Sequence, residues 1–261
     1  MTREINSPVL VTGGTGTIGR RTVPLLVAAG RTVRVLSRGG RPADIAPDPH
    51  VTYVRADLLA DGELDPALLG GAETVLHLAG GPKGDDAATA RLVRAARAAG
   101  TVQHLVLVSV VGADAMPIGY FRAKAGAERA VMESGIGWTV LRAAQVNELL
   151  LRMVGSMRQM PLVPAPGGLR FQPVDAAEVA ARLAELTLDA PAGRVPDVAG
   201  PGVYTLPELA AAQRTAAGAR PRRTLPIRLP GRIGRAYRSG ANLTGPEAHI
   251  AGRDWETFLA A

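Results

Sequence analysis

A glycine-rich segment near the start of the chain limits the possible folds more than any other feature. Gly13, Gly16 and Gly19 follow an apolar run at residues 9–12 and precede a stretch with helical spacing of its apolar residues. Glycine adopts backbone conformations with positive φ and has no Cβ, so this spacing suits a tight turn from a strand into a helix. A second apolar run at residues 32–36 then predicts a parallel strand beside the first.

Short runs rich in Val and Leu alternate with stretches of helical period over the first part of the chain. We predict strands at residues 9–12, 32–36, 51–54, 74–78, 104–108 and 138–141. We predict helices at residues 18–29, 64–69, 86–99 and 120–134, each followed by a glycine suited to a left-handed C-cap: Gly30, Gly70, Gly100 and Gly135. Most of these strands are apolar on both faces, which is typical of a parallel sheet covered by helices. The pattern predicts an α/β fold with a Rossmann-type, doubly wound parallel sheet.

The sequence changes character after the sixth predicted strand. Pro and Gly become frequent, and then a strand at residues 171–174 and a helix at residues 175–188 resume the earlier pattern. We therefore expect residues 1–150 to form the Rossmann core. Residues 151–261 should complete that core at about residues 170–200 and otherwise form a small, irregular substrate-binding cap.

Composition argues against several classes of function. The chain has no Cys, and its four His residues lack the spacing of metal ligands, so we expect no metal site. The formal net charge is +7, but the basic residues are scattered and only 3% of residues are aromatic, which argues against a nucleic-acid partner. We find no signal peptide pattern and no run near the roughly 18 apolar residues of a membrane span. We expect a cytoplasmic protein whose partner is a small-molecule substrate rather than a membrane; the oligomeric state stays open.

The glycine-rich turn has the properties of a dinucleotide site. Free N–H groups and the positive end of the following helix attract a pyrophosphate, and the missing Cβ atoms let the backbone approach it closely. Ser37 and Arg38 end the second predicted strand, where an acidic residue would bind the ribose 2′-hydroxyl of NAD. The Arg38 guanidinium can instead pair with a 2′-phosphate, which favours NADP over NAD, unless Arg38 is simply one more Arg of an Arg-rich chain.

Other cofactor contacts are expected where further strands end at the same edge of the sheet. Asp57 can accept a hydrogen bond from the adenine amino group, and a turn-forming or helix-capping Asp is the alternative interpretation, only slightly less favoured. The residues that we predict to contact the cofactor are Gly13, Thr15, Gly16, Thr17, Ile18, Gly19, Ser37, Arg38, Asp57, Leu58, Ala79, Gly80 and Lys124.

A second group of residues suggests acid–base chemistry. Ser109 ends the fifth predicted strand, and Tyr120 and Lys124 are four residues apart, which places them on one face of a helix. A phenol has a pKa of about 10 and is a poor base at neutral pH, so a nearby ammonium is needed to favour the phenolate. We predict that Ser109 binds the substrate oxygen, Tyr120 exchanges a proton with it, and Lys124 supports the phenolate and holds the cofactor ribose. The alternative is a Tyr packed on its helix and a solvated Lys.

Two polar residues follow the sixth predicted strand. Gln145 and Asn147 should lie at the carboxyl edge of the sheet, where ligands of open α/β folds bind. We predict that both face the substrate, while helix-capping and surface polar roles remain open alternatives.

Several of these motifs together resemble a known superfamily. The residues 12–19, the His77-Leu78-Ala79-Gly80 string, Ser109 and the residues 120–124 are similar to the extended and atypical short-chain dehydrogenases/reductases. Residues 119–124 followed by 134–142 resemble its NmrA-like, NAD(P)H-binding branch, and the similarity covers about residues 7–200. The resemblance implies catalytic positions for Ser109, Tyr120 and Lys124.

The resemblance has two limits. The family's catalytic Asn has no counterpart, because residues 86–99 contain no Asn, and some members of the branch bind the cofactor without known turnover. We expect an NADP-dependent oxidoreductase acting on a carbonyl/alcohol pair. A non-enzymatic redox sensor and a cofactor-retaining isomerase or epimerase are the alternatives.

Overall fold

The computed structural model describes residues 7–261, which form two compact units. The first unit contains the described part of Met1–Ser109 together with Ala123–Leu141 and Ala180–Val195. The second contains Val110–Arg122, Arg142–Val179 and Pro196–Ala261. The first unit takes in Ala180–Val195, which lies within the residues 170–200 expected to complete the core, whereas Val110–Arg122 belongs to the second unit although it lies within residues 1–150.

Strands and helices alternate along most of the described chain. The strands are β1 (Val9–Thr12), β2 (Val33–Ser37), β3 (Val51–Arg55), β4 (Thr74–His77), β5 (His104–Val110), β6 (Gly137–Ala143), β7 (Val163–Pro166), β8 (Arg170–Phe171), β9 (Gly193–Arg194), β10 (Val198–Ala199), β11 (Tyr204–Thr205), β12 (Thr224–Ile227) and β13 (His249–Ile250). The helices are α1 (Gly19–Ala28), α2 (Asp85–Ala99), α3 (Gly119–Met132), α4 (Asn147–Ser156), α5 (Ala176–Leu188), α6 (Leu206–Ala216), α7 (Gly231–Arg238) and α8 (Trp255–Leu259). Among the described helices, none is both long and apolar enough to cross a membrane.

The first unit contains the parallel sheet that the sequence predicts. Six strands follow the order β3-β2-β1-β4-β5-β6, and β9 pairs in parallel with β6. β1 pairs in parallel with β2 and with β4, so the order of connection reverses at β1. Ligands of open α/β sheets bind at the carboxyl ends of the strands beside such a reversal. The predicted α/β fold with a Rossmann-type sheet is confirmed.

The core of the first unit is aliphatic. Leu10 and Val75 on adjacent strands are completely buried, and they pack in one cluster with Leu92, Ala95 and Ala96 of α2. The spacing of the apolar residues in α2 therefore places one face of this helix on the sheet. This packing fixes the first turn of α2, which carries side chains toward the carboxyl edge of the sheet.

One predicted helix of the first unit is wrong. Residues 64–69 form only a single 3-10 turn, Pro66–Leu69. The Asp65 side chain caps its start by accepting from the Ala67 N–H, and Gly70 ends it in the left-handed conformation at φ 61°. Because the start signal at Asp65 and the stop signal at Gly70 lie so close together, the segment has no room for an α-helix.

The second unit has its own small core around Trp255. This side chain is completely buried with Leu150, Phe171 and Leu209, and its indole N–H donates to the Leu209 carbonyl at 3.1 Å. The predicted strand at residues 171–174 is shorter than expected: β8 ends at Phe171 and pairs antiparallel with β11. The substrate-binding role of this part of the chain stays a prediction.

Candidate functional site

A cleft of about 460 Å³ opens in the first unit at the carboxyl ends of β1, β2 and β4. It brings together most of the residues that the sequence assigns to the cofactor, with several that it does not. From the predicted set, the cleft is lined by Gly13, Thr15, Gly16, Ser37, Arg38, Asp57, Leu58, Ala79 and Gly80. Thr17, Ile18, Gly19 and Lys124 are not among its lining residues. Lining residues that the sequence analysis did not single out include Thr12, Gly81, Lys83 and Asp85.

Glycine is required at different positions of the turn for different structural reasons. Gly13 has φ 71°, and a Cβ on it would lie 2.5 Å from the Ala79 amide nitrogen. A Cβ on Gly19 would lie 2.3 Å from the Gly13 carbonyl oxygen. Gly16, by contrast, has only that same oxygen within 4 Å of its Cβ position among the described residues, at 3.3 Å. Gly13 and Gly19 therefore permit close backbone packing, whereas Gly16 leaves the wall of the cleft open to a ligand.

The start of α1 fits an anionic group. Ile18 occupies the N-cap position and provides no capping side chain, and no acidic residue lies in the first turn. The N-terminus of a helix carries partial positive charge and N–H groups that need acceptors. A pyrophosphate is the group that such a turn accommodates.

The end of β2 contains one cation and one hydroxyl. Arg38 is exposed and lines the cleft. The Ser37 hydroxyl donates its proton to the Gly40 carbonyl at 2.7 Å, which leaves only its acceptor lone pairs for a ligand. A phosphate requires donors, so at this strand end it would depend on Arg38.

Asp57 takes part in a turn. Its Oδ1 accepts the Leu59 N–H at 2.9 Å, which is the turn-forming role that the sequence left open. The residue also lines the cleft, so its contact with an adenine amino group stays a prediction.

Lys124 is buried and paired, not solvated. Its Nζ lies 2.7 Å from Asp85 Oδ2, and the two side chains are only 10% and 7% exposed. Asp85 Oδ1 accepts the Gly81 N–H at 2.7 Å. A Cβ on Gly80 would lie 2.7 Å from Lys124 Nζ, so the ammonium sits directly beside the strand-end loop that lines the cleft. The sequence analysis missed Asp85.

A buried chain of hydrogen bonds joins Asp85 to the end of β1. Thr89 Oγ1 donates to the Asp85 carbonyl at 2.6 Å and lies 2.9 Å from His77 Nε2. Thr12 Oγ1 lies 2.5 Å from His77 Nδ1. Since the Thr89 proton is used, Nε2 must donate to Thr89, and Nδ1 accepts from Thr12. Burial, together with the charge of Lys124, lowers the pKa of His77 to about 3, so the ring is neutral.

The other two predicted catalytic residues lie in different units. Ser109 belongs to the first unit and is 2% exposed, and its hydroxyl has no hydrogen-bond partner among the described residues. Tyr120 belongs to the second unit, is half-buried, and packs edge-on against Phe121 with 5.3 Å between ring centroids. An unsatisfied buried hydroxyl is costly, which is consistent with a place for a ligand atom at Ser109. The joint catalytic role of the three residues stays a prediction.

The predicted substrate residues differ in their surroundings. Gln145 is half-buried and accepts the Gln172 N–H at 3.4 Å. Asn147 is completely buried, and neither side-chain polar atom has a partner within residues 7–261. Val146, not Asn147, occupies the N-cap position of α4. The surface and capping alternatives are therefore wrong for Asn147, and its contact with substrate stays a prediction.

The sequence is similar to that of known nucleotide-dependent proteins. A family model described as NAD(P)H-binding matches residues 13–185. The chain is 32% identical over 228 residues to an NAD(P)H azoreductase of Xenophilus azovorans, which covers 85% of this chain and 77% of that protein. It is 28% identical over 209 residues to quinone oxidoreductase 2 of Escherichia coli, covering 78% and 72%.

Solved structures support the fold. The Bordetella bronchiseptica enzyme WbmH in complex with NAD+ aligns with a TM-score of 0.72 at 16% identity, over 98% of this chain and 96% of that chain. The family match begins within the glycine-rich turn and covers the strand ends that form the cleft. The resemblance drawn from the motifs is confirmed: this chain belongs to the NAD(P)H-binding family, in the short-chain dehydrogenase/reductase superfamily.

Proposed function

We propose that this protein is an NADP-dependent oxidoreductase that transfers hydride between NADP(H) and a carbonyl/alcohol substrate. The observation that carries the proposal is the cleft at the reversal of strand order, which combines an uncapped helix N-terminus with Arg38 at the end of β2. Azoreductase and quinone oxidoreductase, the names of two similar proteins, are both oxidoreductase activities. We keep the expectations of a cytoplasmic location and a small-molecule substrate as part of this proposal.

The preference for NADP depends on Arg38. Replacing Arg38 by alanine should weaken NADPH binding about tenfold to 100-fold, since a hydrogen bond to a charged group contributes about 1.5–3 kcal/mol. NADH has no 2′-phosphate, so its affinity should change less than about twofold. Fluorescence titration of both nucleotides measures these affinities, with Arg97→Ala, an exposed Arg on α2, as control. Equal losses for NADPH and NADH would contradict the role of Arg38.

The catalytic residues have separate tasks in this proposal. The bound cofactor supplies or accepts the hydride. The Ser109 hydroxyl, which is buried and has no partner among the described residues, donates a hydrogen bond to the substrate oxygen. The Tyr120 phenol delivers a proton to that oxygen during reduction and removes it during oxidation. Lys124 holds the cofactor ribose.

Turnover should depend on the Tyr120 hydroxyl. We expect Tyr120→Phe to lower the rate of carbonyl reduction roughly 100-fold, the usual effect of losing a positioned acid, while NADPH affinity stays unchanged. Steady-state assays over a panel of carbonyl substrates measure the rate, and Tyr53→Phe is the control. If Tyr120→Phe reduces carbonyl substrates at the wild-type rate, the phenol is not the acid. NADPH binding without turnover on any substrate, in the wild type, would favour the redox-sensor alternative.

A further inference from the structure

The cleft wall formed by Gly80 and Gly81 is held from behind by one carboxylate. Asp85 Oδ1 accepts the Gly81 N–H at 2.7 Å, and Asp85 Oδ2 contacts Lys124 Nζ at 2.7 Å. Asp85 itself lines the cleft together with both glycines. A single side chain thus connects the loop after β4, the first turn of α2 and the catalytic-motif lysine of α3.

The position of the lysine is narrowly defined by this arrangement. A Cβ on Gly80 would lie 2.7 Å from Lys124 Nζ and 3.1 Å from Asp85 Oδ2. Only a glycine at position 80 lets the ammonium and the carboxylate approach the loop backbone this closely. The ion pair therefore fits against the inner side of a residue that lines the cleft.

The stability of α2 alone does not require the ion pair between Asp85 and Lys124. Asp85 lies in the first turn of α2, where a carboxylate is favoured by the helix dipole without any counter-ion. Burying a Lys ammonium, in contrast, is unfavourable unless an anion compensates its charge. The burial of the Lys124 charge therefore requires Asp85 more than the burial of the Asp85 charge requires Lys124.

The backbone of Asp85 is fixed as well. Its carbonyl accepts the Thr89 hydroxyl, and through Thr89 and the neutral His77 it is connected to Thr12, a cleft-lining residue at the end of β1. The neutral ring places no second positive charge on this side of the carboxylate. Asp85 is therefore held at both its backbone and its side chain.

We propose that Asp85 is a positioning residue of the cofactor site, which fixes the Lys124 ammonium and the Gly80–Gly81 loop for the bound dinucleotide. The proposal rests on the proposed function, because it takes the role of Lys124 in holding the cofactor ribose from there. Asp85 contributes geometry and charge compensation, and Lys124 makes the contact. The effect of Asp85 on the cofactor should therefore pass through the lysine and the loop.

A graded set of variants separates the two connections. Asp85→Asn keeps an oxygen for the Gly81 N–H but loses the ion pair, Lys124→Met also loses the ion pair, and Asp85→Ala loses both connections. We expect the dissociation constant for NADPH to rise about tenfold in Asp85→Asn and Lys124→Met, and further in Asp85→Ala. Asp86→Asn, which removes an exposed charge from the same helical turn, should stay within about twofold of wild type.

A double variant distinguishes a loss of NADPH binding from a loss of folded protein. Asp85→Asn removes the anion that pairs with the buried Lys124 ammonium, whereas Asp85→Asn with Lys124→Met removes both charges and should recover the melting temperature. If Asp85 acts through Lys124, the double variant binds NADPH as weakly as Lys124→Met alone, and not more weakly. A lower melting temperature with unchanged NADPH affinity in Asp85→Asn and Asp85→Ala would overturn the proposal. Because the measured quantity is affinity and not turnover, that result would leave the proposed oxidoreductase activity standing.

Discussion

Replacing Gly13 by alanine should destabilise the protein by several kcal/mol and abolish NADPH binding. Gly13 has φ 71°, where a residue with a Cβ is strained by about 1–2 kcal/mol. The added Cβ would also lie 2.5 Å from the Ala79 nitrogen and 2.6 Å from the Leu78 carbonyl carbon, both backbone atoms that cannot rotate away. The turn and the end of β4 would have to move apart, and both line the cleft.

Gly30 offers a matched control for this result. It has nearly the same backbone conformation, φ 79°, but no atom of residues 7–261 lies within 4 Å of its Cβ position. Gly30→Ala should therefore cost only the conformational strain of about 1–2 kcal/mol and leave NADPH affinity unchanged. Urea denaturation and NADPH titration of both variants measure the difference. Equal losses of stability in the two variants would show that the close packing of Gly13 on β4 contributes nothing.

The sheet of the first unit was largely predictable because its signal is local. β1 begins and ends at the predicted residues, and β2 to β6 differ from prediction by only a few residues at their ends. Interior parallel strands bury both faces, so they read directly as short apolar runs. The glycine turn was predictable for a related reason, since positive φ and close backbone approach select the residue itself.

The Asp85–Lys124 pair was not predictable in the same way. These residues are distant in sequence, and their contact depends on the packing of two helices at one edge of the sheet. The predicted helix began at Asp86, one residue after the observed start of α2, so Asp85 was left outside it. An Asp followed by another Asp at a helix start also looks like ordinary helix-dipole stabilisation.

The short strands of the second unit left no readable pattern either. β8, β10, β11 and β13 each contain two residues, which is too few to show an alternation of apolar and polar side chains. The burial of Asn147 could not be predicted either, because a single polar residue after a strand does not show whether its side chain faces the interior or the solvent. Its unsatisfied side chain became visible only in the structure.

The protein should lose stability as the pH falls below about 6.5, and His77 should cause much of the loss. An unfolded imidazole titrates near pH 6.5, whereas burial, with a contribution from Lys124, lowers the pKa of folded His77 to about 3. Between these values the unfolded chain binds a proton that the folded protein does not. The contribution of His77 to the free energy of unfolding is therefore fully present at neutral pH. It falls by up to about 1.4 kcal/mol per pH unit as the pH drops through this window.

Comparison with His77→Gln isolates this contribution. Glutamine can accept from Thr12 and donate to Thr89 but does not titrate, so the variant should be less stable at pH 7 and should lose stability less steeply below pH 6.5. Urea denaturation at several pH values between 7 and 5 gives the two curves, with the exposed His50→Gln as control. Parallel curves for wild type and His77→Gln would contradict a neutral, buried His77. A difference that narrows as the pH falls would show that the buried chain from Thr12 to Asp85 requires an uncharged ring, because a second proton on His77 leaves the Thr12 hydroxyl without its acceptor.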